Sequence, residues 1–194
     1  MCSQYQIKLP LHIVEASFSH TRFPLHFPQG RPNIEPRDQV TIGDSAVIVT
    51  GDEDAASLLT LPFSWKGPNG RPVFNFRSEG RRFDSARRCL VPASGFFEFT
   101  DPQPGQKRKT RWCFTLAGSD WFWMAGVVRD GGFALLTTAP GDDVAAFHDR
   151  QIIVLPPAQG QDWLALSRPE AELLRPLPKG SLLVERDFPP PELF

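Results

Sequence analysis

The sequence has few of the features that are typical of secreted, membrane-spanning or metal-binding proteins. Its 194 residues include only three cysteines, Cys2, Cys89 and Cys113, and no CxxC pair. This odd, widely spaced set argues against a disulfide framework and a zinc site, and we expect no metal and no cofactor. No apolar run approaches the roughly 20 residues of a membrane helix. Residues 1–8 lack a signal-peptide pattern, so we expect a cytoplasmic protein without membrane contact, in which thiols stay reduced.

Net charge is also small, at −1, and by itself gives no indication of a nucleic-acid partner. The distribution of charge is uneven, because residues 77–111 contain nine Arg and Lys but only four Asp and Glu. A phosphate backbone requires a local positive field of this kind. A solvated charged surface has the same composition, so this segment indicates DNA only together with other signals.

Prolines are frequent and scattered, which predicts many short elements joined by turns. Apolar runs bounded by turn residues predict strands at 46–50, 72–76, 95–100, 112–116, 121–128, 133–138, 151–155 and 181–184. Short helical patterns lie at 11–18, 80–88, 142–148, 162–166 and 169–174. Residues 20–44 read as an extended loop. We predict an α+β fold with a mostly antiparallel, barrel-like β core and dispersed short helices, in one domain over residues 1–194.

Cysteine at position 2 carries the most specific chemistry in the sequence. Removal of Met1, which proceeds readily before a small side chain, would leave an amine and a thiol on the same residue. The amine of such an aminothiol forms an imine with an aldehyde, and the thiolate then closes on the imine carbon to give a thiazolidine. Unperturbed pKa values of about 8 and about 8.5 keep both groups partly reactive at neutral pH. Cys89 and Cys113 lie in apolar stretches typical of buried, inert thiols.

Further segments accompany Cys2 in a fixed order along the chain. They are NFRSE at 75–79, RCLVPASGFFEF at 88–99, TT at 137–138 and HDR at 148–150. With Met-Cys at the start, this order and spacing resembles the SRAP family, the SOS-response-associated peptidases. The resemblance covers residues 1 to about 166, nearly the whole chain. Residues 167–194 are then a C-terminal extension that we expect to pack on the same domain.

The resemblance implies a DNA-repair protein that binds abasic-site DNA, single-stranded or at junctions, and therefore locates to the nucleoid after damage. Cys2 would trap the deoxyribose aldehyde as a thiazolidine crosslink. Asn75 would hold the N-terminal residue and the opened sugar, Glu98 would orient or deprotonate the amine, and His148 would protonate the sugar ring oxygen. The family's peptidase-like site acts on its own N-terminus, which implies autocatalytic or aminopeptidase removal of Met1. An imine at C1′ would also permit lyase-type strand cleavage. We expect a monomer.

The resemblance also implies direct contacts to the DNA. The residues concerned are Arg77, Thr137, Thr138 and Arg150. The planar forks of the two arginines suit phosphates. The sequence departs from the family at residues 3–4, where Ser-Gln replaces Gly-Arg, and at 151–152, where Gln-Ile replaces Met-Pro. It also lacks the Trp-Gly pair that helps to wedge the DNA in the family. Trp65, which lies after this position, could stack on a base or pack in the core.

Structural interpretations stay open for these residues. Asn75 could be a turn residue at a strand end, Glu98 could face solvent, and His148 could cap a helix. We interpret the other histidines as structural; they are His12, His20 and His26. Two other functions also remain open. One is a cysteine peptidase of the N-terminal-nucleophile kind acting on other proteins, and the other is a non-catalytic nucleic-acid-binding domain.

Overall fold

Strands account for most regular structure in the computed structural model, which describes residues 1–19, 23–51, 55–102 and 104–188. In chain order the strands are β1 (Gln4–Ile7), β2 (Leu25–His26), β3 (Arg37–Thr41), β4 (Ser45–Gly51), β5 (Ala56–Pro62), β6 (Trp65–Lys66), β7 (Pro72–Val73), β8 (Asn75–Arg77), β9 (Arg88–Ala93), β10 (Gly95–Thr100), β11 (Thr110–Leu116), β12 (Phe122–Arg129), β13 (Gly132–Thr138), β14 (Gln151–Ile152), β15 (Val154–Leu155) and β16 (Leu182–Phe188). The α-helices are α1 (Leu11–Ala16), α2 (Gly160–Ala165) and α3 (Glu170–Leu173). His20 and the end of the predicted domain, 189–194, lie outside the described residues.

The strands form two principal sheets and a short ribbon of β6 and β7. The five-stranded sheet has the order β16-β11-β10-β1-β3, with antiparallel neighbours throughout. The nine-stranded sheet runs β14-β13-β12-β9-β4-β5-β2, with β15 paired to β12 and β8 paired in parallel to β13. The predicted α+β class with mostly antiparallel sheets and short helices is confirmed. Neither strand order closes on itself among the described strands, so a barrel-like closure is not confirmed.

One hydrophobic cluster contains buried side chains from both sheets. In the smaller sheet, Phe96 stacks on Phe114 with ring centroids 4.9 Å apart. Tyr5 of the same sheet meets Phe63, which follows β5 of the larger sheet, edge-on at 5.6 Å. Strand β9 is buried along its whole length, which explains why alternation did not reveal it, since a strand covered on both faces reads as a continuous apolar run. Each large apolar side chain buried in this way stabilises the fold by about 1.5–3 kcal/mol.

Two predicted helices are wrong, and tertiary contacts explain both. Residues 80–88 contain only one 3-10 turn, Ser85–Arg87, because the Phe83 N–H donates to the Glu170 carboxylate and its ring packs on Trp163. Residues 142–148 form successive turns instead of a regular helix. Within them, Phe147 packs edge-on against Trp112 of β11, with ring centroids 4.9 Å apart. Neither segment keeps the backbone ladder that a helix requires.

Strand β10 has its predicted ends, and the other predicted elements are present with shifted ends. The predicted strands 72–76 and 151–155 are each divided into two short strands, and several strands were not predicted. The unpredicted strands are β1, β2, β3, β5, β6 and β9. Two of them, β2 and β3, lie in the segment that the sequence predicted as extended loop. Beyond residue 166, Leu173 and Leu182 are buried in the core, and β16 pairs with β11 along its length. Within the described residues, no helix combines the length and apolar character needed to span a membrane.

Candidate active site

The start of the chain lies beside strand β10. Because β1 pairs antiparallel with β10 in the register Gln4↔Phe97, the residues before Gln4 run alongside Glu98. The Met1 ammonium is 3.3 Å from Glu98 Oε2 and donates to His148 Nε2. Asn75 Nδ2 donates to the Cys2 carbonyl oxygen at 2.8 Å. The four predicted catalytic residues, which are far apart in sequence, therefore meet around the N-terminus.

The Cys2 side chain is fully buried, and its Sγ donates to the Gln4 carbonyl oxygen at 3.2 Å. Burial raises the pKa of the Cys2 thiol well above its usual range, and the nearby negative charge of Glu98 raises it further. With Met1 in place, the Cys2 nitrogen is a peptide nitrogen and the thiol is protonated. In this form Cys2 therefore has neither the free amine nor the thiolate of a reactive aminothiol.

Glu98 lies on β10 with a side chain that is only 1% exposed. The solvent-facing interpretation of Glu98 is thus wrong. Burial raises the pKa of Glu98 to about 7, and the Met1 ammonium partly offsets this shift. Its Oε1 has no hydrogen-bond partner among the described residues. A carboxyl group with a pKa near 7 can both take up and return a proton at neutral pH.

Asn75 lies on β8 and pairs with Leu135 of β13. This pairing places its side chain within hydrogen-bonding distance of the Cys2 carbonyl oxygen. Its Oδ1 is buried and, like Glu98 Oε1, has no partner among the described residues. Buried polar atoms are normally hydrogen-bonded. These two buried oxygens are therefore available to accept hydrogen bonds from the amine or hydroxyl groups of a ligand.

His148 lies in the turns after β13, and its Nε2 contacts the Met1 ammonium. An ammonium can donate to Nε2 only if Nε2 carries no proton, so the ring proton is then on Nδ1, 2.8 Å from Asp149 Oδ1. The Arg150 N–H lies 3.0 Å from the same Nδ1 and suits the other tautomer. Burial lowers the pKa of His148, and the Met1 ammonium lowers it further, while Asp149 opposes the shift. These influences together favour the neutral imidazole in this form.

The four predicted DNA-contacting residues do not share one environment. Arg77 is exposed at the end of β8, whereas Thr137 and Thr138 are buried in β13. Arg150 is only 12% exposed, and its guanidinium donates to the Glu79 carboxylate and to Thr137 Oγ1. Sequence reasoning gave no role to Glu79, although it is the final residue of the NFRSE segment. Its position in that segment is the signal that could have revealed it.

Trp65 is only 6% exposed and packs against Phe76 with ring centroids 6.1 Å apart. The core-packing interpretation of Trp65 is therefore correct for this conformation, since a covered indole cannot stack on a base. Of the other histidines, His12 and His26 are exposed on the surface. Within the described ranges, no group of His, Cys, Asp and Glu side chains could hold a metal ion.

Positive charge concentrates at the turn between β10 and β11. We call its exposed cations Lys107, Arg108 and Lys109 the basic turn. The turn lies near the site, because the charge of Lys109 is one of the influences that lower the pKa of His148. Lys109 also pairs with Asp101 at 3.5 Å, an exposed ion pair of small energetic value.

Comparison with solved structures shows that the fold is shared. A phage-related protein from Bordetella bronchiseptica has a TM-score of 0.71 and 23% identity, with 96% of this chain and 94% of that chain covered. A second protein from the same organism has a TM-score of 0.64 and 19% identity, with 96% and 99% covered. A protein from Bacteroides thetaiotaomicron has a TM-score of 0.66 and 17% identity, with 95% and 91% covered.

Family assignment rests on the sequence. No curated protein matches the chain significantly. The profile described as SOS response associated peptidase (SRAP) matches residues 1–186, which extends the resemblance seen in the motifs to include most of β16. The chain therefore belongs to the SRAP family.

Proposed function

We propose that the protein captures abasic sites in DNA covalently through Cys2, after removal of Met1. One observation carries the proposal: the N-terminal amine lies between Glu98 and His148, while Asn75 holds the Cys2 carbonyl. An amine is the group that must meet an aldehyde first, and this site binds one beside an acid–base pair. Membership of the SRAP family supports a DNA-associated function.

In the proposed reaction, His148 protonates the ring oxygen of the deoxyribose as the bond from C1′ to that oxygen breaks, and it takes back the proton that the C1′ hydroxyl releases as the aldehyde forms. The Cys2 amine then adds to C1′, and Glu98 accepts the proton that the amine releases. Glu98 returns this proton to the former carbonyl oxygen, which gives the carbinolamine. It then moves the second amine proton to the same oxygen, which leaves as water and gives the imine. The Cys2 sulfur adds to the imine carbon while its proton goes to the nitrogen. One C–N and one C–S bond form, the bonds from C1′ to the ring oxygen and to the carbonyl oxygen break, and one water is released.

Burial protects the product of the last step. The closing sulfur reacts inside a covered site, where water has little access to the ring carbon. Loss of Met1 removes the residue whose ammonium occupies Glu98 and His148 in the precursor. The same two residues are then free to act on the sugar. Because Arg77 and the basic turn are exposed, we assign them the contacts to the DNA backbone.

The test uses protein whose loss of Met1 is established by intact mass. It is incubated with a single-stranded oligonucleotide that carries one abasic site, and with a matched one that carries the tetrahydrofuran analogue. We expect a band that survives denaturing electrophoresis with the first oligonucleotide only. Cys2→Ala should abolish it, and Cys113→Ala, which removes the half-buried thiol of β11, should not. Met1-free protein that forms no adduct would refute the proposal.

A second candidate is favoured by the same bound amine. A site that holds the Met1 ammonium between Glu98 and His148 could hold the N-terminus of another protein, as a peptidase of the N-terminal-nucleophile kind would. This candidate predicts turnover of a peptide panel, with loss of turnover in Cys2→Ala. Absence of cleavage beyond the chain's own Met1 would eliminate it.

A further inference from the structure

We propose that Glu79 is a positioning residue for His148 and acts through Arg150. The inference rests on the proposed function, because it assigns Glu79 to the acid–base machinery of that site. It also gives Arg150 a role different from the phosphate contact that the sequence implied.

The Glu79 carboxylate binds both ends of the segment that carries His148. Its Oε1 accepts the Ala139 N–H at 3.0 Å, at the point where the chain leaves β13. The same carboxylate accepts from both Nη atoms of Arg150, where the segment ends, with 2.8 Å between Nη2 and Oε2. One side chain therefore holds together residues 139 and 150, between which the turns place His148.

The Arg150 guanidinium is committed to the protein on both of its Nη atoms. Besides the bidentate pair with Glu79, Nη2 donates to the buried Thr137 Oγ1 at 3.0 Å. The Arg150 side chain is 12% exposed and that of Glu79 is 46% exposed. Bidentate, charge-assisted pairs hold their geometry firmly. A covered guanidinium that already has these partners is better suited to anchoring a segment than to receiving a phosphate.

The link from Arg150 to His148 is short. The Arg150 N–H lies 3.0 Å from His148 Nδ1, and Asp149 Oδ1 lies 2.8 Å from the same atom. The position of residue 150 therefore decides which of these two groups Nδ1 meets, and so which nitrogen carries the ring proton. Placement errors of about 1 Å at a proton-transferring group cost up to about a hundred-fold in rate. If Glu79 is lost, the segment 139–150 can shift. The position of the His148 ring and the nitrogen that carries its proton are then no longer fixed.

The experiment is a double-variant cycle with Glu79→Gln, Arg150→Gln and the combination, all free of Met1. Crosslinking is measured as the first-order rate at saturating abasic-site DNA and as the half-saturating DNA concentration. We expect each single variant to lose at least about ten-fold in rate, with half-saturation changed by less than about two-fold. The double variant should be no slower than the singles, because residues that act through one another are not additive.

Two readouts separate positioning from a general loss of structure. The pH–rate profile should change on the limb that depends on His148. The charged groups near that imidazole are Glu98, Asp149, Lys109 and the terminal amine. The NMR signals of the His148 ring should move in Glu79→Gln, and this readout needs no crosslinking. Glu172→Gln is the matched control, since it breaks an ion pair with Arg168 at a glutamate of similar exposure, 48%. It should leave rate and ring signals unchanged.

Opposite results overturn the inference. An unchanged saturating rate with unmoved His148 signals would show that Glu79 does not position the ring. A variant that binds DNA more tightly at an unchanged rate would show that Glu79 competes with phosphate for Arg150. Wild-type protein without any adduct would instead refute the proposed function, while the His148 ring signals would still decide the role of Glu79.

Discussion

Folding buries the Glu98 carboxyl group and raises its affinity for a proton. Replacing Glu98 by Gln removes this carboxyl group. The side chain is 1% exposed, and burial raises the pKa from 4.5 to about 7. Gln has nearly the same shape but no titrating proton. Comparing the two proteins therefore isolates the energetic effect of this one ionisation.

The sign follows from which state holds the proton. Between pH 4.5 and about 7, the folded protein keeps the Glu98 proton while the unfolded chain has lost it. The contribution of Glu98 to the stability of the wild-type protein therefore falls as pH rises through this window and levels off above it. A shift of this size corresponds to about 3 kcal/mol. Glu98→Gln has no carboxyl group to ionise. Its unfolding free energy relative to that of the wild type should therefore rise by about 3 kcal/mol between pH 4.5 and pH 8.

Urea unfolding followed by tryptophan fluorescence measures this difference at several pH values. Both proteins need the same N-terminus, verified by intact mass, because the terminal ammonium affects the pKa of Glu98. Glu185→Gln, at an exposed position of β16, is the control and should show no such growth. If wild type and Glu98→Gln lose stability in parallel as pH rises, Glu98 does not have the raised pKa on which its proton-shuttling role depends.

Three further predictions concern packing and DNA binding. Trp65→Ala should destabilise the protein by about 3–5 kcal/mol in urea unfolding, as loss of a buried ring does; a surface base-stacking residue would cost far less. Gly160→Ala should cost about 1–3 kcal/mol, because its Cβ would lie 2.5 Å from the Trp123 ring, and a Tm equal to that of the wild type would contradict this. Replacing the three cations of the basic turn by Gln should reduce the slope of log K against log salt for single-stranded DNA by about 2. Arg129→Gln, at the last residue of β12 and paired with Gly132 at the end of β13 away from Thr137, should not reduce it, and equal slopes in all variants would exclude the basic turn from the interface.

The sequence allowed the α+β class and the mostly antiparallel sheets to be predicted, because alternation and turn residues are local signals. Strand β10 was predicted with its observed ends, Gly95–Thr100. Strand β9 was not predicted, since a strand buried on both faces has no alternation. The helices predicted at 80–88 and 142–148 were wrong because Phe83 and Phe147 pack on distant partners, and these contacts outweigh local propensity.

By itself, the sequence determined the chemistry available to this protein: a cysteine after Met1, and an amide, a carboxylate and an imidazole in a recognisable order. Only the tertiary structure decided what these groups can do. The β1–β10 register places the terminal amine beside Glu98, and burial moves the pKa of that carboxyl to about 7. The fold also commits Arg150 to Glu79 and leaves Arg77 exposed, two arginines that look alike in sequence. The physical reason is that pKa values and ion pairs depend on solvent exclusion and on partners brought together from distant parts of the chain.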